Sequence, residues 1–293
     1  MKYGITYSYW GKDWEGSDYP QKIERARKCG LDILEIFYGR ILTMSDQEIA
    51  EINAAQKDNG IEVYALGGFG AKQDLSSLDE TVRRGAVEEA KALLKAISRL
   101  NIHNFSGINY GQWCGLSDPE NKARRFEQAA RSLGEVGRFA ADYDISWNME
   151  VVNRFESYLV NTAQEARDLA EASGSKNINI LLDIFHGMLE EDDLAQAVRI
   201  AGDRLGHYHV GSNNRKLPRP SFQPWNEIAA AMKEIGYNKS ISIEPLVHTG
   251  GTVALSGGNV WREMLPKGWD DQMLDVGALL PAARQIRSAG ESA

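Results

Sequence analysis

Eight short apolar runs, each followed by a longer stretch of helical periodicity, recur along the whole chain, and this alternation limits the possible folds more than any other feature. The runs are YGITYSY (3–9), ILEIFYG (33–39), IEVYALGG (61–68), NFSGINYG (104–111), ISWNMEVV (145–152), INILLDIFH (178–186), LGHYHVG (205–211) and SISIEPLV (240–247). Helical patterns begin near Tyr19, Asp46, Ser77, Asn121, Thr162, Asp192, Pro224 and Met273. Ser45 with Glu48 three residues on has the form of a capping box. Gly30, Gly60, Gly174, Gly202 and Gly236 each stand where a helix should close before the next strand. Strict strand–helix alternation implies parallel strands joined by crossover helices. Eight such units in 293 residues, with no linker or low-complexity stretch between them, predict one (β/α)8 TIM barrel domain covering residues 1–293. No GxGxxG follows the first strand, which weakens an open, dinucleotide-binding sheet.

The net charge of −8 argues against nucleic acid, because an acidic chain repels a phosphate backbone. No run approaches the roughly 18 apolar residues of a membrane span. The opening MKYGITYSYW enters a strand pattern directly, without the apolar segment of a signal peptide. Cys29 and Cys114 fall in separate elements and supply neither a disulfide framework nor a metal-binding spacing. A cytoplasmic protein without nucleic-acid or membrane partners is the expectation.

In a (β/α)8 barrel the C-terminal ends of the strands build the active site. Strand 5 ends with Glu150, and strand 6 with Asp183, followed three residues on by His186. Strand 7 carries His207 and His209 at alternate positions, hence on one face, and strand 8 ends with Glu244 before Pro245. Any one of these acids could be a helix cap or a salt-bridge partner. Four consecutive strands delivering a carboxylate or imidazole to one rim form an oxygen-rich set suited to Mn²⁺, Mg²⁺ or Co²⁺. His209 is nearer the strand end and should reach the upper layer, with His207 one layer lower as a hydrogen-bonded core residue. His103 opens strand 4 at the bottom of the barrel and reads as structural, whereas His248 in the loop after strand 8 stays open. Arg215, in GSNNRKLPRP after strand 7, could bind a substrate oxygen or cap its loop. Trp113 after strand 4, and Tyr7 and Trp10 around strand 1, are candidates for the wall of a small pocket. The stretches GGFG (67–70) and HTGGTVALSGG (248–258) carry no Walker-type lysine and read as turns or flexible covers.

Taken together, EVVNRFESYLVNT, LLDIFH with EEDD, GHYHVG with NRKLP, PWNEI, and IEPLV with TGG and VWR resemble the ketose 3-epimerases, the family of D-tagatose 3-epimerase and D-psicose (D-allulose) 3-epimerase. The resemblance spans nearly the whole chain, beginning at YSYW with KDWEGSDY. It implies a divalent metal, Mn²⁺ first and Co²⁺ or Mg²⁺ next, held by Glu150, Asp183, His209 and Glu244. It implies that Glu150 and Glu244 are also the catalytic acid/base pair, and that Glu156, His186 and Arg215 hold the oxygens at the C1 to C3 end of the sugar; Trp113 and Tyr7 join them as expected substrate contacts from their place around strands 4 and 1, and the lack of a phosphate-binding signature points to a free ketose. A homodimer or homotetramer is expected. The physics of the implied reaction agrees with this set. Inverting C3 requires a proton to leave one face of the sugar and another to arrive on the opposite face, which a single base cannot do. The chain departs from the family pattern in the loop GSNNRKLPRPSF, at Thr6, where an aromatic is common, and at Leu246, where Phe is common; these positions bear on the C4 to C6 end. A lyase such as inosose dehydratase starts with the same proton abstraction and is the runner-up. An endonuclease IV-like nuclease would need more histidines than five and a basic face.

Overall fold

Each apolar run becomes a strand, and the strands close on themselves in the order of the sequence. The computed structural model describes residues 1–115, 117–218 and 223–265. Its parallel strands are β1 (Lys2–Thr6), β2 (Ile33–Phe37), β3 (Glu62–Leu66), β4 (Asn104–Gly107), β5 (Ser146–Val151), β6 (Ile178–Asp183), β7 (Leu205–Val210) and β8 (Ser240–Ile243). β8 pairs back onto β1 with Lys2 opposite Ser240 and Ile5 opposite Ile243, which seals the barrel. The outer helices are α1 (Tyr19–Lys28), α2 (Asp46–Asn59), α3 (Glu80–Ser98), α4 (Lys122–Ala141), α5 (Ala163–Ser173), α6 (Ile184–Glu190), α7 (Leu194–Ala201) and α8 (Trp225–Glu234). The helical pattern expected from Met273, and part of the loop after β7, lie outside the described residues. No described helix is long and apolar enough to cross a membrane.

The strands are shorter than the apolar runs, always at the C-terminal end. The run 178–186 leaves the sheet after Asp183, whose side chain accepts a hydrogen bond from the Phe185 N–H at 2.8 Å and so caps α6, a helix the run concealed. The run 240–247 leaves it after Ile243, just ahead of Pro245, which has no N–H for a ladder. Helix starts follow their caps. Ser45 and Glu48 form the expected capping box of α2. α3 begins later than Ser77 because the Asp79 carboxylate takes the N–H groups of Thr81 and Val82. Asp193 does the same for α7.

Alternation along the strands separates two layers. On one face Phe105 and Trp147 pack edge to face at 4.7 Å, within the apolar layer. On the other face Asn148 donates to Asn104 Oδ1 at 2.9 Å and to Ser106 Oγ at 3.2 Å. Glu35 on β2 meets His207 on β7, and β8 and β1 lie between those strands, so the contact crosses the barrel interior. The barrel is therefore filled in part by polar groups that satisfy one another, which a buried interior requires.

Two glycines show where backbone geometry is fixed and where it is not. Gly107 ends β4 at φ 131°, and a Cβ there would lie 2.1 Å from the Gly67 carbonyl oxygen. Gly85 is exposed on α3, and a Cβ there would have no atom within 4 Å. Gly107→Ala should lower stability by more than about 1 kcal/mol, whereas Gly85→Ala should raise it by about 0.5–1 kcal/mol. Denaturant unfolding of both variants checks the opposite signs.

Candidate metal centre and active site

Four strand ends converge on one point. Glu150 lies within β5, Asp183 ends β6, His209 lies within β7, and Glu244 directly follows β8. One donor atom from each lies within 4.8 Å of all the others, and all four residues are buried. The backbone fixes the last of them, because Glu244 N–H donates to the Val210 carbonyl at 2.9 Å and so holds its side chain beside His209.

Around this cluster stand the other polar residues expected from the sequence. The Arg215 guanidinium donates through Nη1 to Asp183 Oδ2 and to Glu244 Oε2, each at 2.6 Å. Its other amino group lies 3.1 Å from His186 Nε2, and its plane covers the Phe185 ring at 4.0 Å. The sequence placed Arg215 near substrate and outside the ligand set, and its guanidinium rests directly on two carboxylates of that set. His186, in α6, is fully enclosed, with Nε2 3.5 Å from Glu150 Oε1. Asn153 donates to His186 Nδ1 from its amide side chain at 2.7 Å. Glu156 accepts from Trp113 Nε1 at 2.9 Å and from Asn153 Nδ2 at 3.1 Å. Asn153 thus ties two of the expected substrate-holding residues together, a role the sequence did not reveal.

Burial governs the charges here. It raises the Glu150 carboxyl above its ordinary range, and nearby Glu244 adds to the effect against the opposing pull of His186. Asp183 is also pushed up by burial, with Arg215 opposing. Glu244 is buried as deeply, but His209 and Arg215 outweigh that burial and hold it well below the usual carboxylate range. The two glutamates therefore differ in proton affinity although their residue type is the same.

Glu150, Glu156, His186, Arg215 and Glu244 line a cleft with about 30 Å³ of free space, enough for about one water. Trp14, Phe37, Leu66, Ile108, Trp113 and Leu246 form its apolar wall. Trp14 stacks on Phe37 at 5.6 Å and meets Trp113 edge to face at 5.8 Å. The stretch after β8 lies against this wall, with Gly257 lining the cleft and Ser256 O accepting from Trp14 Nε1 at 3.0 Å. Tyr7 is not among the lining residues. Its hydroxyl donates to Asp18 at 2.7 Å and its ring packs on Tyr19, so Trp14 and Phe37 stand where the sequence suggested Tyr7. Trp10 is buried beneath Lys22 and Arg25. His103 is exposed on Asp144 O at the far end, and His248 is buried against Tyr9 O. A larger cavity of about 670 Å³ opens at the opposite mouth of the barrel. Many of its polar groups are already paired, as in Gln56 to Leu100 O, Lys239 to Leu205 O and Asn104 to Asn148, so size alone does not make it a reaction site.

The four-residue cluster fits a divalent ion on its own geometry. His209 Nδ1 is buried without a hydrogen-bond partner and lies 3.6 Å from Glu244 Oε2. The other ring nitrogen, Nε2, lies 3.1 Å from Glu35 Oε2. A metal-binding imidazole has this arrangement, with one nitrogen on a carboxylate and the other presented to the ligand set. Three carboxylates and one imidazole suit a hard or borderline divalent cation. Glu35 was missed in the sequence. The available signal was a lone acid in the middle of ILEIF, a strand whose other residues are apolar.

The comparisons with known proteins agree with this geometry. The profile of the xylose isomerase-like TIM barrels matches residues 23–266. D-psicose 3-epimerase of Ruminiclostridium cellulolyticum is 41% identical over 276 residues, 94% of this chain and 93% of that protein. D-psicose 3-epimerase of Agrobacterium fabrum is 37% identical over 265 residues, covering 90% and 91% of the two chains. The crystal structure of a D-psicose 3-epimerase from Clostridium cellulolyticum with D-tagatose superposes with a TM-score of 0.92 over 99% of both chains, at 39% identity. The chain thus belongs to the xylose isomerase-like TIM barrels and, within them, to the ketose 3-epimerase family.

Proposed function

We propose that this chain is a divalent-metal-dependent ketose 3-epimerase that interconverts free ketoses, such as D-allulose with D-fructose or D-tagatose with D-sorbose, as a homodimer or homotetramer. One observation carries the reading. Glu150 and Glu244 come from strands separated by β6 and β7, and they reach a common cluster with Asp183 and His209. Two carboxylates approaching one point from different sides of a barrel is the arrangement that inversion at a single carbon requires. The names of the relatives support the same reaction, and solved structures described with D-tagatose and D-fructose support a ketose as substrate.

Held by Glu150, Asp183, His209 and Glu244, Mn²⁺, or Co²⁺ or Mg²⁺ in its place, would supply Lewis-acid polarisation of the ketose carbonyl and offset several kcal/mol of developing charge. The protein does the rest. Glu156, His186 and Arg215 bind the oxygens of the C1 to C3 end and orient it. One glutamate removes the C3 proton from its face, leaving an enediolate, and the other returns a proton to the opposite face. The reverse reaction exchanges their roles. The cationic Arg215 beside them opposes the negative charge that builds on the substrate. Trp14, Phe37, Trp113 and Leu246 exclude water from the reacting carbon. Among the described residues lining the cleft, Arg215 is the arginine or lysine present, and it is paired with two carboxylates, which favours an unphosphorylated sugar.

The test of the activity is incubation of metal-loaded protein with a panel of ketohexoses and ketopentoses, followed by chromatography; the C3 epimer is the expected product, and loss of water would indicate a lyase instead. Chelation should abolish turnover and Mn²⁺ or Co²⁺ should restore it, whereas full activity of metal-stripped protein would contradict the reading. Glu150→Gln and Glu244→Gln each retain an oxygen ligand but remove the base. Each should lower kcat by at least about 10²-fold in both directions. In deuterated water the C3 hydrogen should exchange as epimer forms. Complete retention of that hydrogen would exclude two independent bases in contact with solvent.

A further inference from the structure

Glu35 is a buried carboxylate in the barrel interior that the proposed reaction does not use. It stands on β2, fully enclosed, and its side chain crosses to β7. Oε1 lies 2.7 Å from His207 Nε2, and Oε2 lies 3.1 Å from His209 Nε2. His207 Nδ1 in turn lies 2.7 Å from Ser240 Oγ.

Donor and acceptor chemistry fixes one proton on each ring. An ionised carboxylate only accepts, so each Glu35 oxygen needs an N–H directed at it. Both rings must then carry a proton on Nε2. A neutral ring protonated there has its lone pair on Nδ1. On His207 that lone pair meets Ser240, whose hydroxyl can donate. On His209 it is the partnerless buried nitrogen that faces Glu150, Asp183 and Glu244. The opposite tautomer of His209 would aim a proton into the ligand cluster and leave a Glu35 oxygen without its donor.

We infer that Glu35 is a positioning residue for the metal centre: it holds His209 in the tautomer that offers Nδ1 to a divalent cation, and it does so with His207 as its second anchor. The buried carboxylate also makes the ligating imidazole a better donor, as outer partners of metal-bound histidines do. His207 thereby gains a function beyond packing, since it occupies the second oxygen and stops the carboxylate from rotating. Glu35, His207 and His209 also bring donor atoms within 4.8 Å of one another. As a second ion site they would offer only three ligands whose atoms already bond each other, so one ion per chain is expected.

The inference rests on the ion site proposed above, and calorimetric titration of chelator-stripped full-length protein with Mn²⁺ separates the two. Wild type should bind one ion, and Glu35→Gln should bind it about 10–100-fold more weakly, because the glutamine NH₂ group meets a ring N–H. Glu35→Asp, which keeps the charge but is shorter, should fall between them. A second readout is independent of affinity. In protein labelled with ¹⁵N-histidine and loaded with diamagnetic Zn²⁺, His209 should show its proton on Nε2 and the metal on Nδ1. Equal Mn²⁺ affinity in wild type and Glu35→Gln would overturn the inference while leaving the metal site intact. Wild type binding no ion would sink both readings, and two ions per chain would overturn the assignment of the triad. If thermal unfolding shows that Glu35→Gln does not fold, the wild-type spectrum decides, and a metal on Nε2 or a proton on Nδ1 of His209 would refute the inference.

Discussion

The structure depends on how buried negative charge is satisfied. Glu35, Glu150, Asp183 and Glu244 all sit out of water in one barrel, and an uncompensated buried carboxylate is costly by several kcal/mol. Arg215 is the guanidinium set directly against two of them, and three imidazoles lie close by. Such a collection is poorly balanced as a structural core, because hydrophobic residues of similar size would cost less to bury. It becomes understandable as a cation site. A divalent ion held among Glu150, Asp183, Glu244 and His209 would supply the missing positive charge where the donors already converge. Stability and chemistry then draw on the same groups, consistent with a site placed at the strand ends, where backbone hydrogen bonds fix each side chain.

The sequence revealed the rim better than the interior. Glu150, Asp183, His209 and Glu244 could be read because each is a polar residue in the later half of an apolar run, and the C-terminal ends of strands in an eight-unit barrel share one face. Glu35 could not be read the same way. It lies in the middle of ILEIF, and nothing in a single run says that its partner lies on β7, on the far side of the interior. Asn153 was hidden for a related reason: its value comes from bridging His186 and Glu156, which only α6 and the turn after β5 bring together. α6 itself was absorbed into the run 178–186, since Ile184 and Phe185 continue its apolar character while Asp183 caps a new helix. Tyr7 was close in sequence to the pocket wall, but the chain turns after Thr6 and directs its hydroxyl to Asp18; the wall is supplied by Trp14 further along.

Arg215 shows how the loop after β7 is made part of the site. Its backbone adopts φ 59°, a left-handed conformation that costs a non-glycine residue about 1 kcal/mol. Local bonds offset that cost. Arg215 N–H donates to Ser212 O at 2.9 Å, and its own carbonyl accepts from Leu246 N–H at 2.9 Å. The second bond joins the β7 loop to the segment leaving β8. One residue therefore sets its guanidinium on Asp183 and Glu244 and, through its carbonyl, fixes Leu246 in the apolar wall of the cleft. The polar end of the cleft and its apolar wall meet at this loop. The loop GSNNRKLPRPSF is where the sequence departs from the resemblance, and Arg215 within it is the residue that touches Asp183 and Glu244. Changes elsewhere in this loop and after β8 can then alter the apolar wall without moving the guanidinium from Asp183 and Glu244. Leu246 in place of a bulkier aromatic is a change of that kind, since its backbone is pinned by Arg215 and only its side-chain volume is free to vary.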